Sequence, residues 1–159
     1  MSARPNDVAS SGADASPSRR HAVFISDFVH IERPFHEVAA VMLQTDAAWY
    51  RAADRSASRQ RFSVAIGDAR QNTSNVIVPL RWEPIAFERL LPTLDADLEL
   101  SSLGGDHCRL SFSGRYQVPL AQIGASLDRV AMHRVAETAV RRFLLDIAEV
   151  LETNAADAR

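Results

Sequence analysis

From Leu94 to Val118, apolar and polar residues change places at almost every step. Leu94, Ala96, Leu98 and Leu100 alternate with Asp95, Asp97, Glu99 and Ser101. Cys108, Leu110, Phe112, Gly114, Tyr116 and Val118 alternate with His107, Arg109, Ser111, Ser113, Arg115 and Gln117. A period of two predicts two strands, each with one dry and one wet face. Gly104-Gly105 between them predicts a hairpin turn. A loop of those two glycines alone would set Leu100 against Arg109 and spoil the dry face. An odd loop or a bulge sets Leu100 opposite Cys108, Leu98 opposite Leu110 and Ala96 opposite Phe112. A one-residue slip flips every side chain, so the buried face enforces this parity. The same register pairs Glu99 with Arg109 on the wet face.

A second period follows the hairpin. Met132, Val135, Ala136, Ala139, Val140, Phe143, Ile147, Val150 and Leu151 recur at helical spacing. Ser126 suits the N-cap, and Asp128 in the first turn suits the helix dipole. This predicts a long amphipathic helix to Glu152, laid over the dry face of the sheet.

Upstream, Ala22 to Glu32 reads as a strand. Val23, Ile25, Val29 and Ile31 share one face, Phe24 and Phe28 the other. Pro34 suits the start of a helix carrying Val38, Val41 and Met42. Asp46 to Trp49 begins a second short helix or loop, and Arg51 to Gln60 reads as a polar surface connection. Phe62, Val64 and Ile66 alternate in one strand; Val76, Val78, Leu80 and Trp82 alternate in the next, with Asp68 to Ser74 as the turn. Pro79, on the opposite parity, argues for an edge or a bend. Ile85 to Leu91 is a further extended piece, ended by Pro92. The count is about six strands. The fold class is therefore α+β: an antiparallel sheet wrapped around a long C-terminal helix, with two short helices after the first strand. Residues 1–20, rich in Ser, Ala, Asp and Pro, read as a disordered tail. The domain spans 21–153, and 154–159 reads as a flexible C-terminus.

Composition narrows the function. All 18 basic residues are arginine, which excludes Schiff-base chemistry on a lysine. The net charge of -2, without a basic patch, gives no reason to expect a nucleic-acid partner. No apolar run reaches the roughly 18 residues that a membrane span needs. Cys108 is the only cysteine, so no intrachain disulfide forms; that fits a cytoplasmic location. It reads as a small buried hydrophobe. The five histidines show no zinc spacing, and neither a metal nor a cofactor is expected.

Several phrases together resemble a known superfamily. Val29-His30-Ile31-Glu32-Arg33-Pro34 with Glu37-Val38 resembles a first strand running into a proline-started helix. Asp46-Ala47-Ala48-Trp49 resembles the aspartate-to-tryptophan segment that follows. Leu91 to Leu98, Gly114-Arg115-Tyr116, Pro119-Leu120 and His133-Arg134-Val135-Ala136-Glu137 resemble an actinobacterial subgroup. The superfamily is the START-like or SRPBCC one, which includes Bet v 1 allergens and polyketide cyclases/dehydrases. The resemblance covers His21 to Glu152 and implies the helix-grip fold. It does not name a ligand, because this fold serves many.

The candidate site follows from the fold and the residues. The leading reading is a binding module for a hydrophobic small molecule, lipid-like or aromatic, in a cavity between sheet and helix. Its expected lining is Trp49, Trp82, Phe112, Tyr116, Met132, Ala136 and Phe143, with Gly114, Ala96 and Ala139 leaving room. The competing outcome is a helix seated directly in those small-residue gaps, giving a solid core. One alternative function is a cyclase/dehydratase-type enzyme on a polyketide-like substrate, with Asp27, His30 and Tyr116 as catalytic candidates. Another is a protein-interaction module. A homodimer is compatible with all three. His133 and Glu137, one helical turn apart, read either as an acid/base pair or as a helix-stabilising surface pair. Asp27 and His30 read either as pocket residues or as polar positions at a solvated strand edge. An arginine is the cation available to Asp27 if it is buried.

Overall fold

The computed structural model describes residues 22–44, 48–85, 93–117 and 127–157, with only the backbone at 117 and 127–132. The tail 1–20, Phe87, Val118, the Ser126 cap, and the side chains of Asp128 and Met132 lie outside the described residues. So does the expected strand after Ile85.

The elements run β1 (Ala22–Ile31), α1 (Phe35–Met42), α2 (Ala48–Arg59), β2 (Phe62–Ile66), β3 (Arg70–Gln71), β4 (Asn75–Pro84), β5 (Leu94–Gly104), β6 (His107–Gln117) and α3 (Leu127–Asp157). The strands form one antiparallel sheet in the order β1-β6-β5-β4-β2, with β3 also on β4. α3 packs against β1, β6, α1 and α2. This is the helix-grip arrangement of an α+β domain.

The hairpin has the expected parity but a different register. Leu100 faces Leu110, Leu98 faces Phe112, Ala96 faces Gly114 and Leu94 faces Tyr116, a shift of two residues from the sequence reading. Gly104 pairs with His107, and an irregularity between Ser102 and Gly104 leaves Leu103 half exposed. Gly104 (φ 91°) and Gly105 (φ 57°) take the left-handed conformations that this tight loop needs. The shift separates Glu99 from Arg109. Glu99 accepts a hydrogen bond from Asn75 Nδ2 (3.1 Å), and Arg109 lies over the Phe28 ring.

Three further expectations are corrected. Arg51 to Gln60 is not a loop: it lies mostly within α2, whose buried face is Trp49, Ala52, Ala53, Ser56 and Ala57. Alanine and serine at helical spacing make a face too weakly apolar to stand out in the sequence. β4 is an interior strand despite Pro79. β2 ends at Ile66 opposite Leu80, and β3 begins at Arg70 opposite Ile77. The Pro79 carbonyl accepts from Gly67 N–H at 2.8 Å. In an antiparallel strand a residue's N–H and C=O point to the same neighbour. The donor that Pro79 lacks therefore faces the break between β2 and β3. Finally, α3 does not stop at Glu152 but continues to Asp157 and buries Ala155, so 154–157 is helix rather than a loose terminus.

Candidate functional site

The sheet's inner face is a stack of cross-strand rows. One row, at the end where β4 and β6 finish, runs Val64, Trp82, Leu94, Tyr116, Val23. The next is Ile66, Leu80, Ala96, Gly114, Ile25, and beyond it Phe112 faces Leu98 and Asp27. Strand parity alone puts these residues on one face.

The middle of this face is solid. Trp82, Phe112 and Phe143 meet edge to face, with ring centroids 4.8 to 6.0 Å apart. All three are buried, as is Trp49, whose indole N–H donates to the Met42 carbonyl at 3.1 Å. The expected gap at Gly114 is closed. A Cβ there would lie 2.9 Å from the Ala96 Cβ and 3.1 Å from Cε1 of Phe112. The Phe112 ring occupies the space that a larger residue at 114 would have taken. Glycine is required there by close approach, and it does not mark a cavity.

The row containing Trp82 and Tyr116 is different in kind. Trp82 is only 2% exposed, yet among the described residues its Nε1 has no hydrogen-bond partner. A buried donor left unpaired costs about 1–3 kcal/mol, so such groups are uncommon. Tyr116, 3% exposed, directs its hydroxyl to Nδ1 of His133 on α3, 3.4 Å away. His133 Nε2 lies 3.4 Å from Oε1 of Glu137, the residue one turn further along. A phenol on the sheet, an imidazole and a carboxylate thus form a chain from the core to the solvated side of α3. Burial, and then the Glu137 charge, push the Tyr116 phenol above its ordinary range. On α3, Ala136 and Ala139 are partly buried against the core. Gln60 ties this level of α3 to α2, donating to the Ala139 and Ser56 carbonyls.

The three catalytic candidates do not converge. Tyr116 points inward. Asp27 is on the inner-face parity but at the sheet's edge, where it accepts from Arg141 (3.4 Å) and from the Phe28 N–H (2.8 Å). The arginine expected beside Asp27 is thus Arg141, in a partly solvated pair. His30 is exposed on the outer face, its ring 5.4 Å from that of Phe28. Of the expected lining, Trp49, Phe112 and Phe143 are core, Trp82 and Tyr116 hold polar atoms at one end of it, and Ala136 is partly buried against it. The sequence reading missed that Tyr116 reaches His133. Their types and the His133–Glu137 spacing were the available signal, but the contact that joins them spans the β6–α3 connection. Cys108 is buried at the opposite end of the sheet. Its thiol is pushed up to about 11 by burial, and by Glu152.

No family model matches the chain, and no curated protein does. Solved structures do. A conserved protein from Geobacillus kaustophilus superposes with a TM-score of 0.53 at 9% identity, over 82% of this chain and 96% of its own. Ara h 8.0201 gives 0.50 at 9% identity, over 84% and 99%. A START superfamily protein from Mycobacterium smegmatis gives 0.41 at 15% identity, over 86% and 99%. At identities this low the first two carry the fold and nothing finer.

Proposed function

We propose that this chain, which has the SRPBCC/Bet v 1-like helix-grip fold, binds a hydrophobic small molecule carrying at least one polar acceptor. The molecule lies between the Trp82–Tyr116 row of the sheet and the first described turns of α3. The observation that carries this reading is the buried Nε1 of Trp82, which has no partner among the described residues. An apolar site with a few fixed polar groups is the usual design of a small-molecule pocket. Trp82 N–H supplies a donor, Tyr116 a hydroxyl, and Leu94, Val64 and Val23 the apolar floor. The aromatic cluster of Trp82, Phe112 and Phe143 closes the site on its deep side. The single reduced cysteine fits a cytoplasmic setting.

The test is titration with 1-anilinonaphthalene-8-sulfonate, whose sulfonate is an acceptor for an N–H. Saturable one-to-one binding is expected, weakened about tenfold in Trp82→Phe, the worth of one hydrogen bond to a charged group. Trp49→Phe, whose indole already has a partner, should bind as the native protein does. Absence of saturable binding, or equal affinity in Trp82→Phe, would overturn the proposal.

A further inference from the structure

Tyr116, His133 and Glu137 are more than a lining. We propose that they form a proton relay that ionises a weakly acidic hydroxyl, phenolic or enolic, on the bound molecule and holds it as an anion. The inference rests on the binding site described above and names the chemistry of its ligand.

The geometry sets the direction of transfer. Glu137 Oε1 faces His133 Nε2, which favours the tautomer with its proton on Nε2 and leaves Nδ1 as an acceptor. Nδ1 faces the Tyr116 hydroxyl. When a ligand hydroxyl meets Tyr116 Oη, the ligand proton passes to Oη as the tyrosine's own proton passes to Nδ1. The balance is one ligand oxyanion, one neutral tyrosine and one imidazolium beside the Glu137 carboxylate. No electrons are exchanged and no bond to carbon changes. Tyr116 then donates its new O–H to the oxyanion. Its raised phenol range means that Tyr116 does not itself hold the negative charge; it passes a proton. Both 3.4 Å separations are long for hydrogen bonds, and contacts of this kind in an unliganded site tighten when the ligand arrives.

Among the described residues no other group competes for the imidazole. On β1 the nearest charged group is Asp27, which is committed to Arg141. On β6 Arg115 lies on the outer face, opposite Asp95. On α3 Arg134 is exposed, and Arg141 also donates to the Phe28 carbonyl. Among the described residues Glu137 is therefore the carboxylate on His133. It also borders the crevice between β1 and α3, together with Thr138 and Arg142, so the far end of the relay meets solvent.

Energetics select the ligand class. Each tenfold by which the ligand hydroxyl is a weaker acid than a protonated imidazole makes the transfer tenfold less favourable. Simple alcohols are excluded, while acidic phenols and enols are within reach.

The experiment uses 4-nitrophenol, an acidic phenol whose anion is yellow. Absorbance is followed against pH with the native full-length protein in excess. Bound probe should ionise at least about one unit lower than free probe, a tenfold change. His133→Ala should lose the shift while still binding the probe, Tyr116→Phe should lose the shift together with part of the affinity, and Glu137→Gln should lose most of the shift. Circular dichroism checks that each variant is folded. A bound probe that stays protonated, or a shift that survives in His133→Ala, would overturn the relay while leaving the pocket standing. Binding of 1-anilinonaphthalene-8-sulfonate without binding of 4-nitrophenol would also overturn the relay alone. Failure of both probes to bind would overturn both readings.

Discussion

From Val140 to Ala155, α3 buries Val140, Phe143, Leu144, Ile147, Ala148, Leu151 and Ala155. From His133 to Ala139 the same helix buries no side chain fully. Val135, expected in the apolar stripe, is 68% exposed. One half is packed against aromatic rings, and the other touches the sheet through a tyrosine hydroxyl and small alanines. The contrast divides labour along a single helix. The second half holds the domain together, which leaves the first half free to carry polar groups over the end of the sheet. The Tyr116–His133 contact is only partly buried, and a single polar contact of this kind contributes modestly to stability.

The sharpest way to break this comparison is Phe143→Ala. Removing a ring that touches Trp82 and Phe112 should cost about 3–5 kcal/mol in denaturant melts. A loss under about 1 kcal/mol would mean that the second half does not carry stability. Next is Gly114→Val, which forces side-chain carbons into Ala96 and the Phe112 ring. The expected cost is about 1–3 kcal/mol, from overpacking. A neutral result would reopen the idea of free space at Gly114.

Alkaline unfolding tests both halves together, because a carboxylate of each acts on one acid of β6 whose ionisation folding opposes. The Cys108 thiol, near Glu152, is raised to about 11 from an ordinary 9.0. The Tyr116 phenol, near Glu137, is raised from an ordinary 10.0. A folded value above the unfolded one means stability that is complete below the unfolded value and lost as pH rises towards the folded one. Stability should fall from pH 9 upward, first through the cysteine. Cys108→Ala should remove the earlier part of that loss and Tyr116→Phe the later part, as read from urea midpoints across the range. An unchanged pH profile in Cys108→Ala would show that Cys108 ionises freely in the fold.

The smallest effect is expected at His133. His133→Ala should cost about 1 kcal/mol, because it takes away the partner of the buried Tyr116 hydroxyl. A loss above 2 kcal/mol would make the Tyr116–His133–Glu137 chain a structural strut instead.

How far the sequence led depends on the element. Strict alternation in β5 and β6 revealed the hairpin and its parity, because period-two burial writes itself directly into residue type. It did not reveal the pairing, since every register of the same parity buries the same residues; the bulge near Leu103 made the choice. α2 was hidden because Ala52, Ala53, Ser56 and Ala57 bury by being small rather than by being apolar. β3, two residues long, is too short to show a period. At the site, Tyr116 was identifiable from its parity and the His133–Glu137 pair from its spacing. Their union, and a Trp82 indole without a partner among the described residues, depend on how α3 lies on the sheet, which no local pattern encodes. His30 illustrates the converse: a polar residue in an apolar strand can simply face outward.

Phe28 lies midway along β1, the sheet's outermost strand. Its N–H is taken by Asp27 Oδ1 and its carbonyl by Arg141 Nη1. These main-chain groups would otherwise face an incoming chain. An open edge invites a strand from another molecule to add to the sheet, and from there fibrils can grow. Asp27 and Arg141 act there as a stopper. They occupy the middle of the edge with side chains of this molecule, so a foreign strand would have to displace a hydrogen-bonded ion pair before it could take up register. The carboxylate that looked like chemistry in the sequence thus guards the edge of the sheet.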